Sequence, residues 1–401
     1  MSPRAARLDV YRTGIPMRSF EHAAASRELS EAVVVRLELS DGRCGWGETL
    51  PRSYVTGETI DSVIEDLAEV FWPAIAGRQV GPRLAMELPA SGAGGGCANA
   101  AACAVDLAVA DAAYDQAEWE TLRRMVGVEA PKNTAGGLGA RVSGVLGSSD
   151  PGRTARRLRA MRLLGLRDFK LKVGLGDDLD AANLAVVLRQ IGKAVAAGRC
   201  TLRVDANGAW PTDEAPQRVA ALASYGVCVV EQPANCSAGE MAALSRRCEL
   251  PLMADESLIT QRDAEALLEA GSRVWWNIRI SKNGGLARSF TIANLAARHG
   301  VPFVIGCMVG ESSILSAAQR RLLEMLPGHG QSRGCKHPPY QCPRFVEGNY
   351  GRFALRGDLT RKSLRFGYGG RLTALGGHGL GIRVDPRKIA RHGQLVQALH
   401  A

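Results

Sequence analysis

The sequence predicts an α/β fold: a barrel of seven or eight βα units behind an N-terminal α+β domain, with the C-terminal tail returning to that first domain. Three observations predict it. Short apolar runs begin near residues 141, 169, 201, 227, 251, 275 and 302. Helix-like segments fill the gaps, at 153–164, 180–197, 213–225, 238–249, 261–270, 286–299 and 312–326. Several of the runs also end in a charged residue. Strands of four to eight residues alternating with amphipathic helices mean βα units on a parallel sheet. So many units exceed what an open doubly wound sheet usually holds, and closure into a barrel is the natural solution. The expected divisions are residues 1–135, 136–350 and 351–401.

In chain order, residues 7–13 and 32–39 read as strands. Gly14–Arg27 between them is polar and irregular, a candidate loop. Ser40-Asp41-Gly42 makes a turn, after which Gly45-Trp46-Gly47-Glu48 resumes a strand. Apolar spacing turns helical over 62–71 and again over 97–117, where Ala101, Val105, Ala108 and Val109 share a face; the glycines of 91–96 break the two apart. Beyond 136 the barrel texture begins. An eighth strand is expected at Phe345-Val346, after an insertion at 327–343 rich in Gly, Pro, His and Cys. The tail, with RFGYGGRL and GGHGLGIRVDP, is glycine-rich and strand-like.

Composition excludes several classes. With 46% hydrophobic and 22% charged residues the 401-residue chain reads as an ordinary globular protein. No stretch approaches the roughly 20 apolar residues of a membrane span, and the basic N-terminus lacks the apolar centre of a secretory signal. The ten cysteines form no CxxC pair, which points to reduced thiols and a cytoplasmic protein. Cys335-Lys336-His337 with Cys342 and His329 matches no standard zinc spacing. A net charge of +10 raises nucleic-acid binding. The arginines are dispersed along expected helices, however (Arg153, Arg156, Arg157, Arg159, Arg162), and read as a solvated face. No nucleic-acid or membrane partner is expected; a small-molecule carboxylate substrate and a homo-oligomer are.

The chemistry lies at the strand ends. RVDAN, VVEQP and MADES place Asp205, Glu231 and Asp255 at the C-terminal ends of successive runs, and FKLKV and NIRISKNGG place Lys170, Lys172 and Lys282 at equivalent positions. Barrel active sites sit at those ends. Singly, each acid reads best as a strand cap or an arginine partner. Together, three convergent carboxylates repel unless a cation joins them. Oxygen ligands favour Mg²⁺, or Mn²⁺, over zinc. A lysine becomes a general base only if its pKa falls toward neutrality, and a divalent cation or a neighbouring ammonium such as Lys170 pushes it down. Lysines on opposite walls suit removal of a proton from one face of a carbon and its return on the other. No GxSxG, P-loop or HExxH motif is present, and the seven histidines avoid the expected strands.

As a set, these motifs resemble the enolase superfamily, within it the muconate-lactonizing-enzyme subgroup, over nearly the whole chain. SDGRCGWGET and PRSYVTGET are similar to that family's capping domain, and Ala101–Asp111 to its linking helix. The resemblance implies a TIM-like (β/α)7β barrel with an N-terminal α+β capping domain completed by the C-terminal tail. It implies Lys172 as base, Lys170 as its KxK neighbour, Lys282 as second base, and Asp205, Glu231 and Asp255 as Mg²⁺ ligands. Asn207 and Glu256 fall where supporting polar residues are placed. Cys307-Met308-Val309-Gly310-Glu311-Ser312 is similar to the seventh-strand segment of dipeptide epimerases. The acidic pair such enzymes carry on the eighth strand becomes Glu347-Gly348-Asn349 here, one acid kept and one lost.

The expected activity is therefore proton abstraction α to a carboxylate or carbonyl, giving an enediolate, in a racemase or epimerase of a dipeptide or N-acyl amino acid. Alternatives on the same fold are a cycloisomerase or a β-elimination, in the manner of o-succinylbenzoate synthase or an acid dehydratase. A non-catalytic anion-binding barrel is the alternative of another class. Substrate contacts are expected from Arg52 and Tyr54 on first-domain loops (16–27 and 51–58), and from Cys307, Met308, Glu311, Glu347 and Asn349 at the mouth.

Overall fold

The structure, a computed structural model, describes residues 3–22, 25–128, 138, 140–147, 149–326 and 343–401. The Cys335, His337, Cys342 and His329 group falls outside them, as does nearly all of the 327–343 insertion. Four strands form an antiparallel sheet: β1 (Ala5–His22), β2 (Ala25–Leu39), β3 (Cys44–Thr49) and, from the tail, the last strand (Gly393–His400). The tail strand pairs with β1 along Arg7–Thr13, so the order is tail, β1, β2, β3. The chain end thus returns to the first domain, but through residues 393–400. The glycine-rich segments expected to do this are not strands. Gly370 packs instead against the backbone of Val142, and Gly379 donates to Tyr114 O (2.7 Å).

The expected loop at Gly14–Arg27 is instead a hairpin arm. Pairing continues as Gly14↔Glu31, Ile15↔Ser30 and Pro16↔Leu29, shifts register, and resumes at Phe20↔Arg27. Antiparallel pairing needs only backbone groups, so the ladder outruns the buried part of the sheet, where apolar alternation ends. Ser30 Oγ then donates to Gly310 O (2.7 Å), tying the arm to the barrel mouth.

The Asn99–Ala113 helix is buried almost throughout. It can approach β3 closely because alternate β3 positions are glycine. A Cβ on Gly47 would fall on the carbonyl of Ala104, and one on Gly45 on the backbone of Ala108 and Ala112. Backbone cannot swing aside as a side chain can, so Gly47→Ala is expected to destabilise the protein by about 3 kcal/mol, the upper part of the overpacking range. Chemical denaturation measures this; an unchanged midpoint would show that the helix has room to shift.

Eight parallel strands follow: β4 (Gly144–Leu146), β5 (Asp168–Lys172), β6 (Thr201–Asp205), β7 (Val227–Glu231), β8 (Leu252–Ala254), β9 (Trp275–Ile278), β10 (Phe303–Ile305) and β11 (Phe345–Val346). They pair in sequence order. A parallel bridge between Val142 and Val346, with Ser143 N donating to Val346 O (2.8 Å), joins the last strand to the first and closes the barrel. Among the described residues seven helices fall in the gaps between consecutive strands, from Pro151–Leu163 to Ser313–Met325.

Buried acids fasten the two layers. Asp106, on the Asn99–Ala113 helix, accepts from the amides of Leu286 and Ala287 at the start of the Leu286–Arg298 helix. Glu48 accepts from Ser312 N and Leu315 N (each 3.0 Å) and from Ser312 Oγ (2.7 Å) at the start of the Ser313–Met325 helix. Each meets unpaired N–H groups at the positive end of a helix dipole. Burial outweighs these bonds and pushes both carboxyls up to about 7. No helix among the described residues is long and apolar enough to cross a membrane. The eight described cysteines are free.

Candidate active site

Parallel register assembles the site. Lys172 pairs with Asp205, and Asp205 with Glu231, so three charged side chains share one level at the C-terminal rim of β5, β6 and β7. Lys170 lies two residues earlier, on the same face as Lys172 because strand side chains alternate. Asp255 follows β8, and Lys282 follows β9. Asp205, Glu231, Asp255, Lys170, Lys172 and Lys282 are all buried.

The six form one charge-compensated row. Lys170 Nζ reaches both oxygens of Glu231 (3.0 Å each), Asp205 (3.2 Å) and Glu347 (2.9 Å). Lys172 Nζ donates to Asp205 Oδ2 (2.8 Å) and Asn207 Oδ1 (2.6 Å). Lys282 Nζ donates to Asp255 Oδ1 (2.9 Å), Asp255 O (2.7 Å) and Asn277 O (2.7 Å). The acid row therefore has one lysine at each end, Lys172 on Asp205 and Lys282 on Asp255.

The environments differ. Burial would depress Lys170, but Glu231, Glu347 and Asp205 outweigh it and hold its pKa well above the ordinary lysine value. It is a permanent cation, and the expectation that it tunes a neighbouring base is secondary to its binding three carboxylates. Burial, helped by the Arg279 charge, drives Lys282 well below the ordinary value. All three of its N–H positions nevertheless have acceptors, a set that fits the ammonium, whereas the neutral amine would turn its lone pair onto one of them. Burial tends to raise Asp205, but Lys172 and Lys170 hold it well below the usual carboxylate range; Glu231 is raised, by burial and then by Asp205.

Four residues the motifs did not single out complete the row. Arg279 lies against Asp255 Oδ2 and 3.6 Å from Glu231 Oε1. Asn277 Nδ2 donates to Glu231 Oε1 (2.8 Å). Arg203, fully buried, donates to Glu347 Oε1 (2.8 Å) and Ser143 Oγ (2.6 Å) and stacks over the Phe345 ring. Gln232 accepts from Asp255 N (2.9 Å) and Ser257 N (3.1 Å), fixing the acid after β8. Its φ of 36°, like Asn207 at 48° and Asn349 at 55°, is unusual for a non-glycine residue. Such backbone concentrates at functional sites. The signal for Gln232 was its place directly after Glu231. Asn207 Nδ2 also donates to Glu256 Oε1 (3.2 Å), as a supporting pair would.

Whether these acids suit a metal ion turns on their free oxygens. Among the described residues no group of three acids, as placed, forms a ready cage; Lys170 and Arg279 hold them instead. Yet Asp255 Oδ2 is buried and receives no aligned hydrogen bond, only the facing charge of Arg279. The donors are all hard carboxylate oxygens on adjacent strands. That set fits a hard divalent cation such as Mg²⁺.

A cavity of about 830 Å³ opens beside this row, and of the six residues Lys170 and Lys172 line it while Lys282 and the three acids do not. Lys170, Lys172, Arg279, Glu311 and Glu347 line its floor, with Cys307, Met308 and Asn349 beside them. Of the expected substrate contacts, these five, Cys307, Met308, Glu311, Glu347 and Asn349, reach the cavity. Glu347 is already held by Lys170 and Arg203, and Asn349 accepts from Arg320 Nε (2.8 Å). Burial, then the Glu48 charge, raises the Glu311 carboxyl to about 8, against the donated Met308 N–H. Arg52 and Tyr54 do not line the cavity. Arg52 is buried, with its guanidinium on the carbonyls of Pro51, Glu31 and Val309, and Tyr54 packs against the core. The sequence could show that Arg52 lies near a turn, but not that carbonyls would surround it.

A second correction concerns the arginines read as a solvated helix face. Arg153 and Arg157 line the cavity, with Arg18 from the hairpin arm and Arg356 from the segment after β11. Arg153 and Arg157 are one helical turn apart, and the same stripe continues through Ala160, Met161 and Leu164, which also line it. The face is cationic near the mouth and apolar beyond.

Comparison with known proteins agrees with this geometry. Residues 153–388 match the family described as enolase C-terminal domain-like. The chain is 28% identical over 321 residues to a hydrophobic dipeptide epimerase of Enterococcus faecalis, covering 76% of this chain and 84% of the relative. It is 30% identical over 301 residues to an L-Ala-D/L-Glu epimerase of Escherichia coli, covering 75% and 84%. Among solved structures it is similar to an N-succinyl Arg/Lys racemase of Bacillus cereus (22% identity, TM-score 0.78, all of both chains). It is also similar to the Enterococcus faecalis dipeptide epimerase complexed with Mg and the dipeptide L-Leu-L-Tyr (24% identity, TM-score 0.75, 96% and 100%).

Proposed function

The chain belongs to the enolase C-terminal domain-like family, within the enolase superfamily, and on that premise we propose that it is a Mg²⁺-dependent racemase or epimerase. It would remove and return the proton on the carbon α to a carboxylate or amide carbonyl of a dipeptide or N-acyl amino acid. The observation that carries this reading is the pair of lysines seated at opposite ends of one acid row, Lys172 on Asp205 and Lys282 on Asp255. Epimerisation needs a base on one face of the carbon and an acid on the other, with the roles exchanged for the reverse direction.

Asp205, Glu231 and Asp255 would hold the cation. When bound, it supplies electrostatic neutralisation of the charge that develops on the substrate's carboxylate oxygens. The chain's own residues do the rest. Lys172, oriented by Asn207 Oδ1, moves a proton at one face. Lys282 moves it at the other, losing its own proton more readily because it is buried beside Arg279 and regaining it against three acceptors. Lys170 stays charged and keeps Asp205 and Glu231 ionised beside one another. Glu256 and Gln232 hold Asn207 and Asp255 in place.

The test is α-proton exchange followed by NMR in D₂O with Mg²⁺, across dipeptides and N-acyl amino acids of both configurations. Deuterium should enter the α-position of both enantiomers or epimers as they interconvert. A compound turned over without α-deuterium, or no turnover anywhere on the panel with metal bound, would overturn the assignment. One observation favours a second reading on the same fold. Three acceptors around Lys282 suit a permanent ammonium, as a one-base cycloisomerisation or β-elimination would require. A rearranged or dehydrated product would identify that case.

A further inference from the structure

One cation on the acid row belongs to neither end of it. Arg279 faces Asp255 and Glu231 and also lines the cavity. We propose that Arg279 is a displaceable counter-ion of the metal site. Its guanidinium contends with the divalent cation for Asp255 and Glu231, and it yields by turning across the cavity floor to Glu311. The proposal rests on the reading of the acid row as a cation site, and it adds a residue that sets how tightly that site is filled.

The root of Arg279 is fixed and its head is not. The residue directly follows β9, two positions beyond Asn277, so alternation aims both side chains at the acid row. Its backbone is clamped by Asn283, whose Oδ1 accepts from Arg279 N (2.8 Å) and whose N–H donates to Arg279 O (2.9 Å). The stem passes over Gly306, where an added Cβ would meet Arg279 Cγ at 3.0 Å. Beyond that point the ties loosen. The guanidinium lies against Asp255 Oδ2 and 3.6 Å from Glu231 Oε1, and Nη1 reaches the Met308 sulfur at 3.7 Å. Its Nε is buried without a hydrogen-bond partner among the described residues. Five N–H donors are available on such a group, and few are used. Lys170 Nζ, by contrast, lies within 3.2 Å of Glu231, Glu347 and Asp205, and Lys282 Nζ has three acceptors. Of these three cations, Arg279 is the least firmly held.

A guanidinium and a metal ion cannot share one oxygen. Asp255 Oδ2 receives no aligned hydrogen bond, which leaves it open to a harder cation, and Arg279 is the charge that faces it. Leaving a buried guanidinium without an anion is costly, so its departure needs a destination. Glu311 supplies one. It lines the same cavity floor as Arg279 and Met308, and it accepts from Met308 N (2.6 Å), on the residue whose sulfur Arg279 already touches. Burial raises the Glu311 carboxyl, and the Arg279 charge is among the influences that oppose this rise, so the two groups already interact. Rotation of the side chain about its stem exchanges one acid for the other with the backbone in place. One position of the arginine closes the acid row and the other opens it. Metal affinity is then a property of Arg279 and Glu311 as well as of the three ligands.

Calorimetric titration of Mg²⁺ alone into the full-length protein tests this without substrate. Arg279→Met should bind Mg²⁺ about tenfold or more tightly than wild type, because the competing charge is gone. Arg279→Gln keeps a polar group against Asp255 and should act in the same direction, which serves if the apolar variant folds poorly. An arginine with only a structural role would do the reverse, since acids left out of place bind a cation more weakly. Glu311→Gln removes the destination. It should weaken binding by about threefold to tenfold in the wild-type background and leave Arg279→Met within about twofold of its own value. Loss of a remote negative charge would instead weaken both backgrounds alike. Mg²⁺ binding unchanged or weakened in both Arg279 variants, or an equal effect of Glu311→Gln in the two backgrounds, would overturn the proposal. If neither wild type nor any variant binds Mg²⁺, the cation site is removed and the proposal with it. Equal binding by wild type and the Arg279 variants removes the proposal alone.

Discussion

Lys172→Ala is expected to lower interconversion by about a thousandfold, within the range for losing a positioned acid-base group. Lys282→Ala should do the same. The two variants should differ in what survives. Each retains one lysine, so each should still exchange the α-proton of at most one enantiomer, and the two should retain opposite ones. Single-enantiomer wash-in in D₂O reads this directly. A purely structural role for either lysine would depress exchange of both enantiomers together. Equal residual exchange of both enantiomers in Lys172→Ala would remove the two-base assignment.

Removal of divalent metal should abolish turnover, and added Mg²⁺ should restore it. An independent readout is thermal unfolding, since a ligand that binds only the folded state stabilises it by RT ln(1 + [L]/Kd), about 2.7 kcal/mol at a hundredfold excess over Kd. Mg²⁺ should therefore raise the unfolding temperature of the wild-type protein. Asp255→Asn should lose most of that rise, because it removes charge from the acid whose Oδ2 lacks an aligned hydrogen bond. A full rise in Asp255→Asn would show that the ion binds elsewhere. Without metal the variant should be less stable than wild type, because the buried Arg279 and Lys282 lose the charge they face.

All eight barrel strands were legible in the sequence, down to the two-residue β11, and so were the seven helices between them. The reason is local: each strand is a short apolar run and each helix a periodic one, and both patterns survive reading in isolation. The strand-end acids and lysines were legible for the same reason. Once the runs are aligned, position along a strand determines which end a residue occupies. Other features failed because they depend on partners distant in sequence. The Gly14–Arg27 segment lacks apolar alternation and still pairs as a hairpin, because hydrogen bonds between backbones hold it. Arg52 has the look of a substrate-binding residue until the carbonyls of Glu31 and Val309 enclose it. Arg153 and Arg157 look like part of a solvated helix face, yet both line the cavity.

Spacing along the chain was enough to locate the barrel strands, their C-terminal ends and the row of Asp205, Glu231, Asp255, Lys170, Lys172 and Lys282, because register along parallel strands converts spacing directly into position. The closed barrel was needed to show that Arg279, Arg203, Asn277 and Gln232 hold this row, and that the hairpin arm meets the segment after β11 through Arg18 N and Arg356 N. Those meetings arise from barrel closure and from the docking of hairpin and tail, and no periodicity within any one segment encodes them.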